Sequence, residues 1–146
     1  MSKAFLVAGA FAALLAACGD GTGVNALNLS GNWVYSTSNL ASGGVTCNSS
    51  GTALTISQQG GTFSGSYNGG TISCFSSGGS FSGDVGSGTV VNGSLNGTGV
   101  SFDLDTGDWH NSGNVSGNSM SGTVTVRLVV NSSTVILTGS WAAARQ

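Results

Sequence analysis

Three groups of residues in this chain have the types and spacing to do chemistry. The first is Asp108-x-His110-x-Ser112, an acid, an imidazole and a hydroxyl at alternate positions. On a strand they share one face. The composition is that of a hydrolytic triad, but a triad must converge within hydrogen-bond reach. Same-face neighbours on one strand lie about 6.5–7 Å apart at Cα. The sequence also has no Gly-x-Ser-x-Gly nucleophile elbow. The expectation is a solvent-facing polar surface with no catalytic residue, and a protein that is not an enzyme. The second group is Asp103, Asp105 and Asp108 around Gly107. Calcium wants six to eight oxygens, and its common loop ends on a bidentate Glu. This chain contains no Glu at all. An acidic hairpin rim, with no metal, is the reading. The third group is the cysteines Cys18, Cys47 and Cys74.

Cys18 must be read with what precedes it. Met1-Ser2-Lys3 is a short basic start, and Ala4 to Ala17 carries no charge. As a helix that apolar stretch would span about 21 Å, short of a ~30 Å hydrocarbon core. It fits the apolar region of a secretory signal better than a permanent membrane span. Leu15-Ala16-Ala17-Cys18 then resembles the lipobox of bacterial lipoprotein precursors. The resemblance implies removal of 1–17 and lipidation of Cys18 with a diacylglyceryl group and an N-acyl chain. Two or more chains anchor stably where one is marginal. It implies a lipid-anchored protein of the cell envelope. In that family an Asp directly after the cysteine favours retention in the inner membrane. Here that position is Gly19, so the resemblance implies the outer membrane if the organism is Gram-negative.

Export agrees with the remaining cysteines. In an oxidising compartment Cys47 and Cys74 read as one disulfide. Its closed loop predicts ~3.6 kcal/mol in the chain-entropy model. Two free thiols or a metal pair are the alternatives, and the absence of Cys-x-x-Cys with a single His argues against zinc. Charged residues make up 5% of the chain, against a usual ~25%. After Lys3 the only cations are Arg127 and Arg145. A nucleic-acid partner is excluded for want of a basic patch.

Residues 18–27 read as a flexible, Gly-rich tether. The domain expected over 28–146 is all-β. A unit of apolar, any, Gly, any, apolar recurs as Leu29-Ser-Gly31-Asn-Trp33, Phe63-Ser-Gly65-Ser-Tyr67 and Phe81-Ser-Gly83-Asp-Val85. It returns as Val91-Asn-Gly93-Ser-Leu95, Met120-Ser-Gly122-Thr-Val124 and Leu137-Thr-Gly139-Ser-Trp141. The period of two makes each a strand with one apolar face, on which the glycine lies. Glycine weakens a strand, so repeated use marks bends or close approaches, as in tightly coiled strands closing a small barrel. Turn signals such as Gln59-Gly60-Gly61, Asn68-Gly69-Gly70, Asn96-Gly97 and Thr106-Gly107 separate the runs. Eight to ten short antiparallel strands follow, in an up-and-down β-barrel. A solenoid would want a fixed repeat length, and the glycine spacings are uneven. The inner face is expected to hold Trp33, Tyr35, Phe63, Tyr67, Phe81, Phe102, Trp109 and Trp141, with Phe75 outside. An outer-membrane barrel would show the reverse pattern.

Gly31-Asn32-Trp33 at the first strand, followed by a meander, resembles the calycin group of lipocalin-like and avidin-like barrels. In lipocalins a basic residue from late in the chain covers the Trp of Gly-x-Trp, and the resemblance gives that part to Arg145. It also implies a ligand-binding role. Besides membrane anchoring, the chain is expected to have a structural or surface-interaction role towards an envelope or surface partner, the alternative being a small apolar ligand in the barrel. Inward aromatics are numerous enough to fill a narrow barrel. If a pocket remains, Trp33, Tyr35, Tyr67 and Trp109 are expected to line it, since each joins apolar area to a polar handle. No cofactor is implied.

Overall fold

The computed structural model describes residues 27–105, 108–130 and 132–146. The expected signal segment 1–17, Cys18, the expected tether up to residue 26, and Gly107 lie outside the described residues. Ten strands follow in order: β1 Gly31–Ser42, β2 Val45–Gln59, β3 Thr62–Asn68, β4 Thr71–Ser76 and β5 Gly79–Asp84, then β6 Ser87–Asn96, β7 Gly99–Leu104, β8 Trp109–Ser116, β9 Ser119–Val130 and β10 Ser133–Arg145. Eight of them close a ring in the order β1-β10-β9-β8-β7-β6-β3-β2, with β1 paired to both β10 and β2. Every pairing is antiparallel, so the meander expected from the turn signals is present. The β4–β5 hairpin is an excursion outside the ring.

The excursion exists because β2 serves two partners. Its second half, Ala53 to Gln59, pairs with β3, and its first half, Thr46 to Ser50, pairs with β4. Gly51, at φ +75°, sits between the two halves. Cys47 and Cys74 are direct cross-strand partners on β2 and β4, and they form a disulfide. The bridge ties the excursion to β2 rather than stapling strands within the ring, because β4 leaves the ring where β2 changes partner.

Inside the ring, Tyr35, Phe63, Phe102 and Trp141 interlock. Trp141 stacks on Tyr35 with ring centres 5.9 Å apart and meets the edge of Phe102 at 5.2 Å. Phe63 lies 5.9 Å from Phe102. Offset and edge-on geometries of this sort add to the burial energy of the rings. Of the expected inward aromatics, Trp109 is half-buried and Phe81 is 60% exposed. Phe81 does share the inner face, being the partner of buried Cys74. It is uncovered because β5 lies beyond the closed ring. Phe75, on the other face, is exposed as expected.

The inward glycines are the corners of the ring. Gly113 on β8 and Gly122 on β9 are cross-strand partners. A Cβ on Gly122 would lie 1.9 Å from the Ser112 carbonyl oxygen, and one on Gly113 would lie 2.0 Å from that of Ser121. Gly65, Gly93 and Gly139 approach the backbone of the next strand in the same way. Where two strands come this close, no side chain fits between them. The space left by these glycines is therefore taken by neighbouring main chain.

Gly122→Ala is expected to destabilise the domain by about 3 kcal/mol, at the upper end of overpacking costs. Outward-facing Ser121→Ala is expected to stay within about 0.5 kcal/mol of wild type. Urea denaturation of both variants checks the corner assignment. Equal midpoints would contradict it.

Candidate functional site

The triad-like residues do not converge. Asp108, His110 and Ser112 remain strung along the start of β8. His110 pairs across the hairpin with Asp103 of β7, its register partner, with Nδ1 2.6 Å from Oδ1. The other oxygen of Asp103 accepts a 2.8 Å hydrogen bond from Asn92 Nδ2. A usable signal was present in the sequence: Asp103 and His110 are equidistant from the Thr106-Gly107 turn, and a hairpin pairs residues that way. His110 is largely exposed, and Ser112 faces Ser101 instead. Asp103 is buried, so the contact ties a surface imidazole to a carboxylate that Asn92 already holds. Among the described residues no cluster of three metal-ligating side chains occurs.

The four aromatics expected around a lumen pocket are dispersed, each with a separate task. Trp33 is sealed at one end of the barrel. Its indole Nε1–H donates to the Leu29 carbonyl at 2.8 Å, and the Arg145 guanidinium lies 4.5 Å above its ring. Arg145 also donates to the Ser30 carbonyl at 2.7 Å and to the Asn28 carbonyl. Arg145 thus occupies the covering position implied by the calycin resemblance. Tyr35 crosses the interior from β1, and its hydroxyl donates to Asn111 Oδ1 of β8 at 2.7 Å. Burial pushes its phenol well above the ordinary tyrosine range. Asn111 is itself buried and donates to the Phe102 and Trp109 carbonyls. Tyr67 sits at the opposite end from Trp33. Its hydroxyl donates to Asp105 Oδ2 at 2.5 Å, while Asp105 Oδ1 accepts from the Thr89 N–H at 3.1 Å. Trp109 opens β8 opposite Leu104 and Val126.

The concave site lies elsewhere, on the flank where β4–β5 leaves the ring. The β9–β10 hairpin runs on past the start of β8, since Trp109 pairs with Val126 and the strand continues to Val130. It forms one wall with Leu128, Val135 and Leu137. Val45 and Phe81 belong to the other wall, and the Cys47–Cys74 bridge lines the base. The groove measures about 590 Å³, and among the described residues no charged side chain lines it. Val45, Phe81 and Leu128 are each at least about a third exposed within it. The glycine-bearing unit around Phe81 signalled a strand face. It could not signal that this face lacks a cover.

No protein-family model, curated protein or solved structure matches this chain.

The Tyr67–Asp105 pair carries a pH signature. Loss of solvent, then the hydrogen bond to Asp105, then the charges of Asp105 and Asp108 push the Tyr67 phenol up to about 12 from an ordinary 10.0. The pair's contribution to stability is complete below the unfolded value of 10.0 and is lost as pH rises from there through about 12. Phenolate absorbance at 295 nm should therefore be missing from the folded protein at pH 10–11. Asp105→Asn should bring one tyrosine back towards the ordinary range. A wild-type tyrosine that titrates at its ordinary value would count against the pairing.

Proposed function

We propose that this chain is a lipid-anchored protein of the bacterial cell envelope whose calycin-like barrel holds a hydrocarbon chain in the flank groove. The observation that carries the reading is the groove itself: a concave apolar surface left open on a domain whose exterior is otherwise mostly Ser, Thr, Asn and Gly. Large uncovered apolar patches mark binding surfaces. About 590 Å³ falls within the range of small-molecule sites, roughly 300–1,000 Å³. The uncharged lining favours an uncharged chain over a headgroup. The disulfide at the base ties one wall to β2 before any ligand arrives, which lowers the ordering cost of binding.

The lumen is the weaker location for the ligand. The Tyr35–Asn111 hydrogen bond and the Trp141–Phe102–Phe63 rings occupy its middle. A structural or partner-binding envelope role would need about 800 Å² of buried surface on each side. The groove is a single concavity of about 590 Å³, the size of a small-molecule site. The lipobox supports anchoring, and Leu27 to Ser30 lead into the end sealed by Arg145, so an anchored molecule carries the groove at its far end. The reading includes no catalytic step.

Two measurements bear on it. Wild-type protein in its native host should incorporate labelled palmitate, and Cys18→Ser should yield an unlabelled soluble chain. A wild type that takes up no label would end the anchoring proposal. In the Cys18→Ser chain, fluorescence of the polyene fatty acid cis-parinaric acid should rise saturably. Leu128→Asp should weaken that binding at least tenfold, about 1.4 kcal/mol, and Tyr35→Phe should leave it unchanged. Equal binding by the Leu128 variant would place the ligand outside the groove.

A further inference from the structure

The strand β5 closes no ring. Among the described residues it pairs only with β4, so its outer edge is open. Natural edges are usually protected by a proline, a lysine, a bulge or a cover. Here the pairing with β4 runs from Gly79 to Asp84 without a shift, and the strand contains neither Pro nor Lys.

The orientation of the open groups follows from one hydrogen bond. The Val85 N–H donates to the Gly70 carbonyl at 3.1 Å, towards β4. In an antiparallel strand the N–H and C=O of one residue point the same way, and the direction alternates along the chain. Gly83, Phe81 and Gly79 therefore also face β4. Ser80, Ser82 and Asp84 turn their amides and carbonyls to the open side. The 3.0 Å contact between the Ser73 and Ser82 hydroxyls fits this, since side chains lie closer in pairs without mutual backbone bonds.

The open edge is also a palindrome. Residues 79–83 read Gly-Ser-Phe-Ser-Gly, symmetric about Phe81. We propose that two copies of this chain pair edge to edge through β5, antiparallel, about a two-fold axis at Phe81. That register sets Ser80 against Ser82 of the second copy, and both residues already present their backbone groups outward. Four backbone hydrogen bonds form, and the two Phe81 rings meet as a cross-strand pair, the arrangement in which aromatic side chains contribute most. Phe81, 60% exposed in the single chain, becomes covered. The charge pattern agrees. Asp84 falls opposite Gly78 of the second copy, so the two carboxylates stand about 20 Å apart along the strands. That is beyond the ~8 Å screening length of physiological salt. A six-residue strand makes a smaller interface than a permanent dimer uses. The pair is reversible, and it joins the two grooves along one continuous sheet.

The test uses the full chain carrying Cys18→Ser, so that no free native thiol remains beside the Cys47–Cys74 bridge. Ser80→Cys and Ser82→Cys are made separately, with tags of different length. Under mild oxidation the mixture should form a mixed disulfide dimer at least tenfold faster than either variant alone. In the two-fold register position 80 lies opposite position 82 of the second copy, within the Cα reach of a disulfide, up to about 6.8 Å, whereas the two copies of position 80, or of position 82, are offset by two residues along the strands. In sedimentation, Phe81→Asp should weaken self-association at least tenfold while the Cys47–Cys74 bridge remains intact. Two results would each overturn the proposal. One is a chain that stays monomeric at 100 µM, on the order of a hundred-thousandfold weaker association than a nanomolar complex. The other is equal cross-linking of single and mixed variants.

Discussion

Everything in this domain depends on how closely adjacent strands approach at the corners of a narrow ring. An eight-stranded barrel is only just wide enough for its own side chains. At Gly113 and Gly122 the main chains come so close that even a methyl group would overlap a carbonyl. The same constraint recurs at Gly65, Gly93 and Gly139, so the bends are spread around the ring. Between the corners, the interior has room for a few large rings. Trp141 lies in the middle of them, and its indole N–H donates to the Ser112 carbonyl at 3.2 Å, beside the Gly113–Gly122 corner. Glycine in a strand ordinarily weakens it. Here it is what lets the ring close around an aromatic core.

Three of this chain's few charges have clear structural tasks. Arg145 caps Trp33 and binds two carbonyls of the incoming segment. Asp105 holds Tyr67 and the Thr89 amide, lying where Gly88 has no side chain: a Cβ there would come within 2.1 Å of its carboxylate. Asp103 orients His110 and Asn92. The rest of the exterior is solvated by neutral hydroxyls and amides. They interact weakly with one another across strands, as in the 3.3 Å contact of Ser94 with Ser101. Such a surface provides few ion pairs for a charged partner, so an uncovered apolar groove is its most distinctive feature.

The two ends of the barrel differ for a reason that begins in β2. This strand outlasts its pairing with β3, and its leading half would be left with a bare edge. The β4–β5 hairpin covers that edge and the disulfide holds it there. The cost of this solution is a new edge on β5 and an apolar face with no second layer. Both the groove and the open strand trace to that single change of partner at Gly51. The sealed end has no such excursion, and there Arg145 completes the closure.

Sequence alone determined the strand content, the inward placement of most aromatics, the use of glycine for bends, the Cys47–Cys74 pairing and the position of Arg145 over Trp33. The first three depend on side-chain alternation and turn residues, which are local. The disulfide followed from two remaining cysteines in a chain read as exported, and the Arg145 contact from the Gly-x-Trp resemblance. What the tertiary structure decided is which strand lies beside which. Nothing near Gly51 announces that β2 will exchange β3 for β4, because that choice is made by the two following strands competing for one edge. The exposure of Phe81 follows from that choice: its alternation is that of a core residue, but its strand ended outside the ring. Tyr35 and Asn111 likewise meet across the interior from strands 76 residues apart. A periodic pattern specifies the face a side chain occupies, and only the closed ring specifies what stands opposite.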